Sequence, residues 1–167
     1  MATKASINEL FLHFLQDMYY AERQILKALP KMAKATENDE LKQALMHHRD
    51  ETQGQIERLQ QVFEQIGKRA RGATCEALNG IVEEGEEVIE EFEPGPVRDS
   101  GILANAQAVE HYEMARYGTL VAWAKACGMQ ESVTLLEETL AEEKKADSLL
   151  NQIANKSLNR QAGQKAA

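Results

Sequence analysis

Four stretches of this chain repeat apolar residues at helical spacing, and each repeat is broken by acidic side chains where an apolar one is due. In the first, Leu15, Met18, Ile25 and Leu29 are interrupted by Glu22. The second, Ala44, Leu59, Val62 and Ile66, carries His48, Glu51 and Gln55. The third, Leu103, Ala106, Tyr117, Leu120 and Ala124, holds Glu110 and Glu113, and the fourth, Val133, Leu136, Leu140, Leu150 and Ala154, holds Glu143 and Asp147. A buried ionised carboxylate is costly unless it is paired or coordinated. No lysine or arginine lies on these stripes to pair with, so the pattern asks for a shared cation.

Carboxylate oxygens with one imidazole form a hard donor set, which suits iron or manganese better than a soft-metal site. The spacings His48-x-x-Glu51, Glu110-x-x-Glu113 and Glu143-x-x-x-Asp147 each put both side chains on one helix face. Two divalent ions would be over-neutralised by Glu22, Glu51, Glu110, Glu113, Glu143 and Asp147 together. One of these should therefore stand aside, and Asp147, shorter and one turn further on, is the first candidate. His48 either ligates directly or supports the shell by hydrogen bonding. The competing reading is a phase error, since a slip of one residue rotates a side chain by about 100° and would put any one of these residues on the surface. Agreement in depth across four helices argues for the metal site. Tyr19, Tyr20, Tyr112 and Tyr117 read as packing residues, one of which could bond to a ligand, and His13, His47 and His111 fall off the stripes.

These residues need long helices to hold them. Ser6 and Glu9 form a capping-box pattern that opens a helix running to about Ala35, bent rather than ended by Pro30. After a turn at Thr36–Asn38, a second helix spans about Asp39 to Ile66, with Gly67 suited to the left-handed terminating position. The segment Lys68-Arg69-Ala70-Arg71-Gly72 is a basic break. A shorter helix then spans about Thr74 to Phe92, burying Leu78, Ile81, Val82, Gly85, Val88, Ile89 and Phe92 and presenting Glu83, Glu84, Glu86, Glu87, Glu90 and Glu91 to solvent. Pro94-Gly95-Pro96 restarts the chain into a helix from about Val97 to Cys127, Gly128 closes it, and a last helix runs from about Glu131 to Ser157. Glu22 and Glu51 lie roughly 20 Å along their helices from the first turn, and Glu113 and Glu143 stand similarly about the second, so all fall near mid-bundle. The expected fold is all-α: a ferritin-like four-helix bundle whose long crossover contains a short fifth helix. Residues 1–157 form this one domain, and 158–167 are expected to be a flexible tail.

With 167 residues, 28% charged side chains and a net charge of -8, the chain is expected to be a soluble intracellular protein with neither nucleic acid nor membrane as a partner. Cys75 and Cys127 match no paired-thiol spacing and read as free thiols. No glycine-rich phosphate loop and no nucleophile motif is present.

The segments His48–Leu59, Val109–Gly118 and Thr139–Asp147 resemble the YciF-type bacterial stress proteins, a branch of the ferritin-like superfamily related to rubrerythrin. The likeness extends from about Glu9 to Ala154. It implies a cytoplasmic, stress-induced homodimer with an iron site of two ions per chain, manganese being the alternative. The pair Glu110-x-x-Glu113 is similar to the carboxylate pair of rubrerythrin. The chain lacks the Glu-x-x-His pairs and the four-cysteine domain of rubrerythrin, which counts against peroxidase turnover. Two functions follow as expectations. One is a di-iron carboxylate protein that binds ferrous iron or reacts with oxygen or peroxide, with Glu22, Glu51, Glu110, Glu113 and Glu143 holding the metal. The other is a non-enzymatic helical stress protein whose site is structural or vacant.

Overall fold

The computed structural model describes residues 6–164. Its long helices are α1 (Ile7–Ala35), α2 (Asp39–Gln65), α4 (Pro96–Ala126) and α5 (Gln130–Ile153), with the shorter α3 (Glu76–Glu91) between α2 and α4. A π-helical turn, Ala154–Leu158, leads into α6 (Asn159–Gln164). No strand occurs among the described residues. The capping box forms as the sequence suggests: the Ser6 hydroxyl accepts from the Glu9 N–H at 3.2 Å, and the Glu9 carboxylate accepts from the Ser6 N–H at 3.1 Å. α1 continues through Pro30. Gly67 and Gly128, at φ 66° and 71°, end α2 and α4 in the left-handed conformation.

Two sets of hydrogen bonds establish the topology. Asp99, near the start of α4, accepts from the backbone N–H groups of Glu37 at 3.1 Å and Asn38 at 2.7 Å, and Arg98 donates to the Ala35 carbonyl at 2.5 Å. α4 therefore begins at the end of the bundle where α1 turns into α2. At the opposite end, Ser132 of α5 donates to Gln65 of α2 at 2.6 Å. The connection from Ile66 to Gly95 must then run the length of the bundle, about 40 Å for a helix the size of α2. This is the long crossover, and α3 lies within it, packed on α4 and α1.

α3 covers the bundle with one narrow stripe. Only Leu78 and Gly85 are fully buried, while Ile81, Val82, Val88 and Ile89 are partly covered. Phe92, expected inside, is 46% exposed because the helix ends there and the chain leaves the bundle surface. The glutamate face is solvated as expected, with Glu86 reaching Lys31 at 2.9 Å. Close approach to α4 depends on Gly85: a Cβ there would lie 2.8 Å from Asn105 Cγ, and Asn105 donates to the Ile81 carbonyl at 2.7 Å.

The last helix does not stop near Ser157. Leu158 is 1% exposed and continues the stripe of Leu150 and Ala154 at steps of four, which holds the chain on α4 and carries it into α6. Of the expected tail, residues 165–167 lie outside the described residues. Cys75 and Cys127 are both free thiols.

Candidate metal centre

One residue from α1, one from α2, two from α4 and one from α5 meet at mid-bundle: Glu22, His48, Glu110 with Glu113, and Glu143. None is more than 4% exposed. His48 Nε2 lies 3.3 Å from Glu110 Oε1, 3.7 Å from Glu113 Oε2 and 3.7 Å from Glu143 Oε2. Single donor atoms of His48, Glu110, Glu113 and Glu143 all fall within 4.8 Å of one another, close enough to share an ion. Glu22 joins from the α1 side, where its Oε1 accepts a hydrogen bond from the Tyr117 hydroxyl.

The electrostatics of this cluster are those of too many acids in too little water. Burial, reinforced by the charge of neighbouring carboxylates, pushes Glu110 up to about 7 and Glu113 up to about 8. Glu22 and Glu143 are driven well above the usual carboxylate range, again first by burial. For His48, burial works against the charged ring, but Glu113, Glu51, Glu110 and Glu143 outweigh it and hold the imidazole well above its ordinary value. Even so, many atoms are left over. Glu22 Oε2, Glu110 Oε2, both Glu113 oxygens, Glu143 Oε2 and both His48 nitrogens are buried without a hydrogen-bond partner. Buried polar atoms are rarely left unpaired in folded proteins. A set of inward-facing carboxylate oxygens and one imidazole nitrogen fits a hard cation of the iron or manganese class.

Other predicted residues take supporting or outside positions. Glu51, with its side chain 22% exposed, stands behind the imidazole, 3.7 Å from His48 Nδ1 and 3.3 Å from His47 Nε2. The His48 ring, with help from His47, holds its carboxyl below the usual range. Asp147 is outside the cluster, where its Oδ1 lies 3.2 Å from His111 Nε2 and 3.4 Å from Gln107 Nε2. His13, His47 and His111 are exposed, as their phase indicates.

Two residues that were not assigned to the site steady its acids from behind: Tyr117 holds Glu22 and Gln55 donates to Glu143. Arg58 lies outside the cluster, pairing with Glu142 and donating to Thr139 at 2.9 Å. Gln55 and Tyr117 lie one turn beyond Glu51 and Glu113 on the same stripes, which was the available signal. A cavity of about 120 Å³ between α2 and α5, lined by His47, His48, Glu51, Glu110 and Lys145 among others, leads toward the imidazole and Glu110.

Comparison with known proteins agrees with this architecture. The family model described as Domain of unknown function (DUF892) matches residues 6–163. The chain is 45% identical over 162 residues to Protein YciF of Escherichia coli (strain K12), covering 96% of this chain and 98% of the relative. The crystal structure of the E. coli stress protein YciF matches with a TM-score of 0.89 at 44% identity, covering 93% of this chain and 99% of that one. YcfI of Rhodopseudomonas palustris, described as a candidate structural protein, matches at 0.86 and 50% identity over 88% of this chain and 94% of its own. A Xanthomonas campestris protein shares the fold, with a TM-score of 0.70 at 24% identity over 88% of this chain and 89% of its own.

Proposed function

The chain belongs to the DUF892 family, and on that premise we propose that it is a stress-associated ferritin-like protein whose buried cluster is a dinuclear iron centre. Its work would be to bind ferrous iron, or to react with oxygen or peroxide. The observation that carries the reading is the convergence of Glu22, Glu110, Glu113, Glu143 and His48 in the buried interior with no lysine or arginine among them. Ferrous ions bound there would supply reducing equivalents and an open coordination position for an oxidant.

Each side chain has a task in such a site. Glu51 faces His48 Nδ1, so a proton kept on that nitrogen would leave the Nε2 lone pair available to a cation held among Glu110, Glu113 and Glu143. Glu113 has both oxygens unbonded and interacts with both Glu143 and Glu22, so both oxygens would be available to hold bound metal. Tyr117 and Gln55 fix the outer oxygens of Glu22 and Glu143 and so limit how far either can swing. Glu51 at the mouth of the α2–α5 cavity gives an arriving cation its first carboxylate. No helix among the described residues is long and apolar enough to cross a membrane. We place the protein in the cytoplasm as a homodimer, on the resemblance to its family.

A second reading has its own support. The raised carboxyl groups let the cluster neutralise itself by protonation, and the R. palustris relative is described in structural terms. Metal analysis of protein purified from its own host without chelator, followed by anaerobic ferrous titration, separates the two. Near two iron ions per chain, lost in Glu110→Gln and Glu113→Gln variants that remain folded, is the expected result. Folded protein that arrives metal-free and refuses ferrous iron would overturn the centre and leave the structural role.

A further inference from the structure

The basic break between α2 and α3 is unused by the metal centre. In the folded chain Lys68, Arg69 and Arg71 line one side of an open groove of about 820 Å³, and Arg23 and Lys27 of α1 line the other. No carboxylate lines this groove, although the chain as a whole carries 27 acids against 19 bases. Three exposed lysines elsewhere do find acidic partners: Lys31 with Glu86 at 2.9 Å, Lys125 with Glu137 at 2.6 Å and Lys156 with Glu40 at 2.6 Å. None of the five groove cations forms an ion pair among the described residues. Arg23 instead lies over the Tyr19 ring, 5.8 Å from its centroid.

The loop that presents these charges is tied down. The Ala73 N–H donates to the Gln16 carbonyl at 3.1 Å, and Gly72 sits so close to α1 that a Cβ there would be 3.0 Å from Tyr20 Cβ. Tyr20 in turn donates to Asn79 at 2.8 Å, which fastens the same region to α3. The groove is thus a braced concavity that gathers five unpaired cations and no carboxylate, inside a protein whose overall charge is -8. An anion of high charge density suits such a lining, and arginine's planar fork matches phosphate oxygens in particular.

We propose that this groove binds an oligophosphate anion, of the class of inorganic triphosphate or a nucleoside triphosphate, between Arg23 and Lys27 on α1 and Lys68, Arg69 and Arg71 of the crossover. The inference is independent of the metal centre, which lies in the interior of the bundle.

Calorimetric titration of the full chain with inorganic tripolyphosphate, in chelator-free buffer at 50 mM KCl, tests it. Saturable one-site binding is expected, weakened at least tenfold at 300 mM KCl by screening. An Arg69→Glu/Arg71→Glu variant should bind at least tenfold more weakly, whereas Lys34→Glu/Lys144→Glu, with the same change of net charge elsewhere, should stay within twofold of the parent. Equal affinity for adenosine triphosphate assigns recognition to the phosphates alone, and tighter binding assigns it to the nucleotide. No saturable binding at 50 mM KCl, equal weakening in both variants, or a single-stranded oligonucleotide that displaces both ligands would overturn the assignment.

Discussion

Metal-free protein should lose stability as pH rises through neutrality, which is opposite to the usual behaviour of a protein stabilised by ionised surface carboxylates. In the folded chain burial pushes Glu110 up to about 7 and Glu113 up to about 8, against an ordinary value of 4.5 for each. A group whose folded value is raised holds its proton more tightly in the folded state. Its contribution is complete below about 4.5 and is lost as pH rises through 7 and then 8. One unit of displacement corresponds to about 1.4 kcal/mol, so ionising Glu110 alone costs the fold about 3 kcal/mol. That is a large share of the 5 to 15 kcal/mol typical of a domain, and about 6 to 12 °C in Tm for a chain of this size. His48, also raised, acts in the same direction over this window, while Glu51, held low, contributes in full throughout it and loses that contribution only at more acidic pH. Thermal unfolding followed by circular dichroism, in excess chelator from pH 5.5 to 8.5, measures the effect. Glu110→Gln/Glu113→Gln should flatten the curve, because the amides carry no proton to lose, and added ferrous or manganous ion should raise Tm most at high pH. A chelated Tm that is level or climbs across this range, or a slope unchanged in the double variant, would refute the buried, cation-free cluster.

Three further outcomes follow from particular contacts. Glu143→Gln should abolish stoichiometric metal binding, whereas Asp147→Asn should leave it intact because Asp147 faces His111 and Gln107; elemental analysis of the two purified variants compares them directly. Gly85→Ala should destabilise by about 2 kcal/mol, since the added methyl displaces Asn105 from the Ile81 carbonyl at greater cost than alanine's helix preference returns; urea unfolding should show a lower midpoint. Asp99→Ala should cost about 2 to 4 kcal/mol, read by the same assay, because it leaves the Glu37 and Asn38 amides of the α1–α2 turn without their charged acceptor.

Much of this protein is written in local pattern. Helix limits, the capping box at Ser6, the terminating Gly67 and Gly128 and the glutamate face of α3 were legible because each depends on neighbours within a turn or two. The acids on the four stripes were legible for a related reason: a helix of known phase points its side chains in a known direction, and Glu22, His48, Glu110, Glu113 and Glu143 all lie where that phase sends them. The sequence could also rank Asp147 as the acid to stand apart, from its length and level. Periodicity failed where burial depends on how far a neighbouring element extends, as at Phe92, exposed past the end of α3, and at Leu158, buried where a frayed end was expected.

Distances between helices were not legible. That Glu51 stands behind the imidazole rather than beside the other carboxylates, that Tyr117 and Gln55 restrain the acids, and that Arg69 and Arg71 face Arg23 and Lys27 across a groove all depend on how α1, α2, α4, α5 and the crossover pack together. Sequence determined which side chains turn inward, since that is set by backbone geometry within one helix. Tertiary structure decided which of them meet, and so how strongly their charges interact, since that is set by packing between helices far apart in the chain.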